Sequence, residues 1–369
     1  MRRIGLVTYH MPFNHGARLQ AFALQTAIEN TGCACEIINY KIAPKPSRGL
    51  LPSVAAARCF STLVNIWFGQ RIRKCEAAFE QWATNHYHLT PAPGSEQELS
   101  ELAQNFDGFV CGSDQLWRNP SRGFYYLAFA PEGKRKIAYA PSFGRIQYTS
   151  DEERVIKAHA DSFHSLSARE TDGAEFLARL TGHEVPSVLD PTLLHSTDFW
   201  RKQAVPSGRK LPDRFILVFT VQNTMPCYRV AVELGRRRGL PLVAVDTARR
   251  LVWNPSLTNA FDSGPGEFLN LLDRAEFVVT TSFHGTAFAV NYGKPFLTVC
   301  QGSARNVNSR MTSLAEKLGF QERLIFPGNS VPDLVLHPGK EEGSLAKTAT
   351  ALKTERIASL KYLAGSLTF

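Results

Sequence analysis

The sequence predicts an α/β protein made of two Rossmann-like domains that face a cleft. Short apolar segments alternate with amphipathic helical segments along the chain, which is the pattern of parallel sheets covered by helices. The length of 369 residues suits two domains at about 150 residues each. A Pro- and Gly-rich stretch with little periodicity, 195–212, separates the halves. We therefore predict an N-terminal, acceptor-side domain over 1–205, a C-terminal, donor-side domain over 206–345 and a closing helix over 346–369.

The first half begins with a βαβ unit. In the helix predicted over 19–29, Leu19, Phe22 and Ile28 share one side, and Gly32 follows its end. A strand on either side of such a helix predicts parallel pairing. Strands are expected at 4–9, 35–39, 107–111, 136–140, 166–169 and 187–189, with further helices at 151–163 and 171–180.

An insertion around 41–90 interrupts this alternation. The apolar residues 63–68 precede the basic residues Arg71, Arg73 and Lys74. Two interpretations stay open: a helical insertion packed on its own domain, or a membrane-surface element that gives peripheral contact with an anionic leaflet.

The second half repeats the alternation around a buried strand at 277–281. The other strands are expected at 215–221, 242–245 and 296–299, and the helices at 229–238, 267–274, 286–292 and 311–318.

Composition is that of an ordinary globular protein, with 44% hydrophobic and 20% charged residues. Seven cysteines without a C-x-x-C pair indicate reduced thiols, and the chain starts directly in a strand, so a cytoplasmic location is expected. The net charge of +9 favours acidic partners. Nucleic acid is not expected, because no nucleic-acid-binding motif is present. No metal site is expected, since His86 and His88 lack a third ligand nearby.

His284 is the leading candidate for chemistry. It follows the apolar strand 277–281 and precedes a helix predicted from Thr286, so we expect it in the turn at the carboxyl end of a strand. Ligands of open α/β sheets bind there, and helix N-termini attract anions. The sequence leaves open whether this imidazole does acid–base chemistry or only caps the helix.

Further candidates lie in the predicted turns. No P-loop and no G-x-G-x-x-G pattern follows the first strand; instead, residues 13–17 form a turn in which Gly16 would let a ligand approach the backbone. Arg169, Arg305 and Arg310 are expected near strand ends, where arginines bind phosphate and carboxylate bidentately. Each of them could equally be an ordinary surface residue.

Five segments together resemble the polysaccharide pyruvyl transferase family. They are Asn14-His15-Gly16-Ala17-Arg18-Leu19-Gln20, Cys111-Gly112-Ser113-Asp114-Gln115-Leu116-Trp117, Ser167-Ala168-Arg169-Glu170, Val188-Leu189-Asp190-Pro191-Thr192 and Ser282-Phe283-His284-Gly285. The resemblance implies a GT-B-like fold and transfer of pyruvate from phosphoenolpyruvate to a sugar of a cell-surface polysaccharide or its lipid-linked precursor, as a ketal and without a cofactor.

The resemblance also implies roles for residues. His284, Arg169 and Arg310 match the catalytic positions of the family. The substrate-binding residues are expected to be Asn14, Gly16, Gln20, Gly112, Ser113, Asp114, Ser282, Phe283, Gly285 and Arg305. One departure is Ser282, which stands where many members carry arginine; either Arg305 or Arg310 supplies that charge, or the activity differs.

Two other functions remain alternatives at this point. One is a nucleotide-sugar glycosyltransferase of GT-B type, because a fold does not fix a function. The other is a non-catalytic protein of polysaccharide assembly. Release of phosphate from phosphoenolpyruvate, rather than of a nucleoside diphosphate, separates pyruvyl transfer from the glycosyltransferase, and the presence of His284 and Arg169 argues against the non-catalytic protein.

Overall fold

The computed structural model describes residues 1–40, 53–221, 224–246, 257–302, 308–336 and 338–369. Two fully parallel sheets form its framework, which confirms the predicted α/β class. The first sheet has the strand order β2-β1-β3-β4. Its strands are Arg3–Val7 (β1), Ala34–Ile37 (β2), Gly108–Cys111 (β3) and Arg135–Ala138 (β4).

The second sheet has six strands in the order β10-β9-β8-β5-β6-β7. They are Ile216–Thr220 (β5), Leu242–Asp246 (β6), Leu257–Asn259 (β7), Phe277–Thr280 (β8), Phe296–Val299 (β9) and Leu324–Ile325 (β10). β5, β8 and β9 are buried along their whole length, as expected for parallel strands covered on both faces.

Helices cover both sheets. Those of the first half are His15–Glu29 (α1), Ser53–His86 (α2), Glu96–Ala103 (α3), Ser150–Ala160 (α4), Thr171–Thr181 (α5) and Thr197–Gln203 (α6). Those of the second half are Thr224–Arg238 (α7), Pro265–Arg274 (α8), Phe283–Asn291 (α9), Ser309–Leu318 (α10) and Pro338–Ser366 (α11).

The last helix, α11, returns to the first sheet. The Tyr362 hydroxyl donates to the Ala138 carbonyl at the end of β4, at 3.4 Å. Arg135, at the other end of that strand, donates to the Ser366 carbonyl at 3.3 Å. The chain therefore ends on the half in which it began.

The two halves share one apolar core. A single cluster of buried side chains includes Leu6 of the first sheet, Phe219 of the second and Trp200 between them. Polar contacts add to it: the His15 imidazole and the Ser263 carbonyl lie 2.8 Å apart. This joint core holds the carboxyl ends of the two sheets toward one another.

Several expected boundaries are wrong. α1 begins at His15 rather than Leu19, because the Asn14 side chain caps it by accepting from the Ala17 amide. α9 begins at Phe283 rather than Thr286, because Ser282 caps it in the same way. The expected strands at 166–169 and 187–189 are reduced to a single bridge between Ala168 and Ser187.

Candidate functional site

His284 is the second residue of α9, directly after the strand β8. It therefore lies in the first turn of the helix. The sequence instead predicts it in the loop before the helix. Its side chain is buried, with 6% exposed, and its Nε2 lies 3.6 Å from Asp190 Oδ2. Helix α1 fixes its other side, since a Cβ added to Gly16 would lie 2.1 Å from His284 Nδ1.

Asp190 is the central acceptor behind this histidine. Its Oδ2 faces His284 and accepts from Arg169 Nη1 at 3.0 Å, while its Oδ1 accepts from the Thr192 amide at 3.0 Å and the Thr192 hydroxyl at 2.8 Å. Burial alone would raise the pKa of Asp190, but His284, Arg169 and the Thr192 amide lower it well below its usual range. Asp190 is thus a buried, ionised carboxylate beside the imidazole.

Arg169 is buried beneath the site rather than open to it. It binds Asp190, and its Nε donates to Glu170 at 2.8 Å. Its guanidinium stacks on the Phe283 ring at 4.2 Å, and its Nη2 has no hydrogen-bond acceptor among the described residues. Burial disfavours its charge, but the carboxylates of Glu170 and Asp190 outweigh that cost and raise the pKa of Arg169.

Arg310 reaches the site from the start of α10. All three of its guanidinium nitrogens lie 3.0–3.2 Å from the Gln115 side-chain amide, which offers an acceptor when its oxygen is turned toward Arg310. Burial, followed by the positive charge of Arg169, lowers the pKa of Arg310. Arg310 is bonded to a neutral amide and, unlike Arg169, is placed to accept an incoming anion.

These groups surround a cavity of about 220 Å³, which we call the catalytic cavity. Three helix N-termini meet there: Asn14 caps α1, Ser282 caps α9, and Arg310 is the second residue of α10. The positive ends of helix dipoles favour anions. The described residues that line it are Asn14, Asp114, Gln115, Val221, Thr281, Ser282, Phe283, His284, Gln301 and Arg310.

Some of the residues expected to bind substrate support the cavity from behind. Gln20 is fully buried; its amide nitrogen donates to Thr8, and its oxygen accepts from the Ser113 amide at 3.1 Å. Ser113 is also fully buried and donates to the Ala140 carbonyl at 2.7 Å. Both residues hold the loop after β3 in place instead of lining the cavity.

The glycines have steric roles. A Cβ on Gly112 would lie 1.8 Å from the Tyr139 carbonyl oxygen, and the backbone there has a φ of 141°. A Cβ on Gly285 would lie 2.3 Å from Thr280 Oγ1. Gly112 and Gly285 therefore allow the close packing of strand and helix that places Asp114 and His284 at the cavity.

Asp190 and Gln115 lie in the segments that resemble the family, but the sequence does not predict them as site residues. Their importance depends on which groups meet in space, and spacing along the chain does not contain that information. Arg305 lies outside the described residues. No group of three or more His, Cys, Asp or Glu within the described ranges is arranged to hold a metal ion.

The basic segment after residue 68 also contacts protein. Arg71 pairs with both carboxylate oxygens of Asp262, at 2.8 and 3.1 Å, and Lys74 lies 3.4 Å from a carboxylate oxygen of Glu267. Arg73 is exposed. The side chains of 63–68 lie outside the described set.

Comparison with known families identifies the chain. The sequence pattern described as polysaccharide pyruvyl transferase matches residues 14–299, well over half of the protein. The chain belongs to the polysaccharide pyruvyl transferase family. The matched range contains Asn14, Asp114, Asp190 and His284 and stops before Arg310.

Solved structures share the fold of this pyruvyl transferase family member. The kitacinnamycin glycosyltransferase superposes with a TM-score of 0.51 at 13% identity, over 100% of this chain and 99% of that one. The UDP-GlcNAc 2-epimerase of Methanocaldococcus jannaschii gives 0.50 at 11% identity, over 94% and 92%. At such identities the likeness shows the GT-B-like fold alone.

One curated protein, human perilipin-3, is 35% identical over 92 residues. That match spans a quarter of this chain and only a fifth of perilipin-3. It is therefore too short to bear on the arrangement of the two sheets. Among the described helices, none combines the length and the apolar character needed to cross a bilayer.

Proposed function

We propose that this protein transfers pyruvate from phosphoenolpyruvate to two hydroxyls of a sugar, forming a ketal on a cell-surface polysaccharide or its lipid-linked precursor. The observation that carries the proposal is the meeting of three helix N-termini at a cavity that also contains His284 and Arg310. Such a cavity suits a small donor that carries two negative groups beside an acid–base residue.

The donor would bind at the helix N-termini with Arg310 as its cation. Phosphoenolpyruvate carries a phosphate and a carboxylate, and guanidinium groups bind either one bidentately. The Gln115 amide holds Arg310 without neutralising it. Arg169 has a different role, because its charge is already matched by Asp190 and Glu170; it holds Asp190 in place behind His284.

The chemistry requires two proton transfers. A proton from the His284 imidazolium reaches the methylene carbon of phosphoenolpyruvate and turns it into a methyl group, while a sugar hydroxyl attacks C2 and loses its own proton. The C2–O bond to phosphate then breaks, and a second hydroxyl closes the ketal. Of the two protons released by the hydroxyls, one replaces that of His284 and the other leaves with phosphate.

Asp190 would keep the imidazole in position during this cycle. Its ionised carboxylate, 3.6 Å from Nε2, stabilises the imidazolium form, and preorganised charge of this kind contributes strongly to catalysis. We propose neither a metal nor a cofactor for these steps, and we place the reaction in the cytoplasm. The peripheral membrane contact has little support from the structure, since Arg71 and Lys74 are paired within the protein.

The direct test is transfer itself. The purified protein is incubated in D₂O with phosphoenolpyruvate and a panel of methyl glycosides that carry neighbouring free hydroxyls. We expect phosphate release and a product heavier by pyruvate minus water, with one deuterium in its methyl group. Consumption of a UDP-sugar with release of UDP, and no use of phosphoenolpyruvate, would instead assign the protein as a glycosyltransferase.

Donor binding is tested by calorimetry with phosphoenolpyruvate. Arg310→Gln removes one charged hydrogen-bond donor set and should weaken binding by about 1.5–3 kcal/mol, tenfold or more. The control is Arg154→Gln, whose side chain is 79% exposed and pairs with neighbouring Asp151. Equal affinities in the two variants would move the donor site away from Arg310.

A further inference from the structure

A second, larger cavity adjoins the catalytic cavity. It measures about 610 Å³, and the two share Gln115 as a wall. The side chain of Gln115 faces Arg310 in the catalytic cavity. On the side of the second cavity, the backbone carbonyl of Gln115 accepts a hydrogen bond from the Tyr9 hydroxyl at 3.4 Å. No function discussed so far uses this second cavity, which we call the basic cavity.

The basic cavity carries unbalanced positive charge. Arg118, Arg122 and Arg145 line it, and Glu152 is the one carboxylate among its lining residues. Glu152 lies 3.5 Å from Arg145. Across the described part of the chain, neither Arg118 nor Arg122 has a carboxylate within ion-pair distance, so two positive charges remain available.

The cavity is also partly preorganised. Arg145 rests on the Tyr148 ring at 5.3 Å, which limits its conformational freedom before a ligand binds. The ring of Tyr9 packs edge-on against Tyr125 at 5.0 Å. The site therefore offers fixed aromatic surface next to two guanidinium groups, Arg118 and Arg122, that have no carboxylate partner among the described residues, a combination that suits a sugar attached to an anion.

We propose that the basic cavity binds a phosphate or diphosphate group of the sugar acceptor, so that the sugar's hydroxyls reach His284 past Gln115. This inference rests on the proposed function and names the class of acceptor. Two uncompensated charges match a diphosphate better than the single charge of a uronic acid. Arginine forks also bind phosphate oxygens bidentately. The diphosphate could belong to a lipid-linked or a nucleotide-linked saccharide.

The test is calorimetry with inorganic pyrophosphate on the full chain, in the presence of saturating phosphoenolpyruvate to fill the catalytic cavity. The double variant Arg118→Gln/Arg122→Gln should bind pyrophosphate at least tenfold more weakly. The matched control is Arg154→Gln/Arg236→Gln, which makes the same charge change at side chains that are 79% and 78% exposed, and it should stay within twofold of the wild type. Equal losses in the two double variants would show a general charge effect and overturn the proposal.

Four further measurements sharpen the result. Phosphoenolpyruvate affinity should stay within twofold in Arg118→Gln/Arg122→Gln; a parallel loss would make the basic cavity part of the donor site. Glucuronate binding that depends on Arg118 and Arg122, with pyrophosphate unaffected, would replace phosphate by carboxylate. Geranyl diphosphate and UDP then distinguish the two sources of diphosphate. A tenfold loss of affinity for either one in the double variant supports the site.

Transfer of pyruvate to neutral glycosides should survive in the double variant Arg118→Gln/Arg122→Gln. This result separates a failure of the phosphate-binding proposal from a failure of the proposed function.

Discussion

Two histidines near the first residue of a helix lie in opposite surroundings. His15 begins α1, and its Nε2 donates to the Ser263 carbonyl across the two halves at 2.8 Å. The rings of Phe79, Phe219 and Phe268 surround it at 5.0–5.7 Å. Burial lowers the pKa of His15 from 6.5 to about 4, so it is neutral and structural.

His284 is the second residue of α9 and is almost equally buried, but it faces a carboxylate and an open cavity. Asp190 lies beside its ring, and the cavity gives a substrate access to it. The contrast teaches that burial alone does not define an imidazole's role. Aromatic rings surround His15, whereas a carboxylate and the catalytic cavity face His284.

The sharpest way to break this comparison is His284→Gln. Removal of the acid–base group should lower kcat by about 10²-fold or more, about 2.7 kcal/mol in the barrier, with little change in KM for phosphoenolpyruvate. The melting temperature should stay close to the wild type, because the side chain borders a cavity. Initial-rate kinetics and thermal unfolding measure the two effects.

His15→Gln is the matched comparison in the same assays. It keeps a donor for Ser263 and should leave kcat within about twofold under conditions where the protein is folded. If the two substitutions lowered turnover equally, the division into a structural and a catalytic histidine would be wrong.

For the pH dependence of the free energy of unfolding, we expect the larger effect from His15, which is the reverse of the order expected for kcat. The unfolded chain protonates His15 near pH 6.5 and the folded protein only near pH 4, so this group stabilises the fold fully above pH 6.5. That contribution is lost as the pH falls from 6.5 toward 4. At pH 5 the loss in the free energy of unfolding amounts to about 2 kcal/mol.

Urea unfolding of the wild type and His15→Gln from pH 7.5 to 4.5 measures this loss. The variant should lose less stability than the wild type over that interval, whereas His183→Gln, at an exposed position, should follow the wild type. A wild-type curve parallel to that of His15→Gln would show that folding does not lower the pKa of His15.

Only part of the site can be predicted from the sequence, for physical reasons. The apolar run before Ser282 predicts a strand over 277–281 with His284 shortly after it, because a parallel strand buried on both faces consists mainly of apolar residues. The capping action of Asn14 and Ser282 depends on local hydrogen bonds, so both helices began earlier than expected. The convergence of Asp190, Arg169 and His284 depends on the packing of two sheets, and it could not be derived from spacing along the chain.

Gly16 connects the two histidines and gives the smallest predicted effect. It follows His15 in α1, and a Cβ there would lie 2.1 Å from His284 Nδ1, so Gly16→Ala must displace the imidazole from Asp190. Small misplacements of a catalytic group cost up to about 10²-fold, and we expect a loss of about tenfold in kcat, or about 1.4 kcal/mol. Alanine favours a helix over glycine by about 1 kcal/mol, which offsets part of the packing cost in stability.

The control is Gly365→Ala in α11, where no atom lies within 4 Å of the added Cβ; kcat should be unchanged. The ¹⁵N shifts of the His284 ring report its displacement, and turnover within twofold of the wild type despite shifted ring signals would show that the contact with Asp190 is not needed for catalysis.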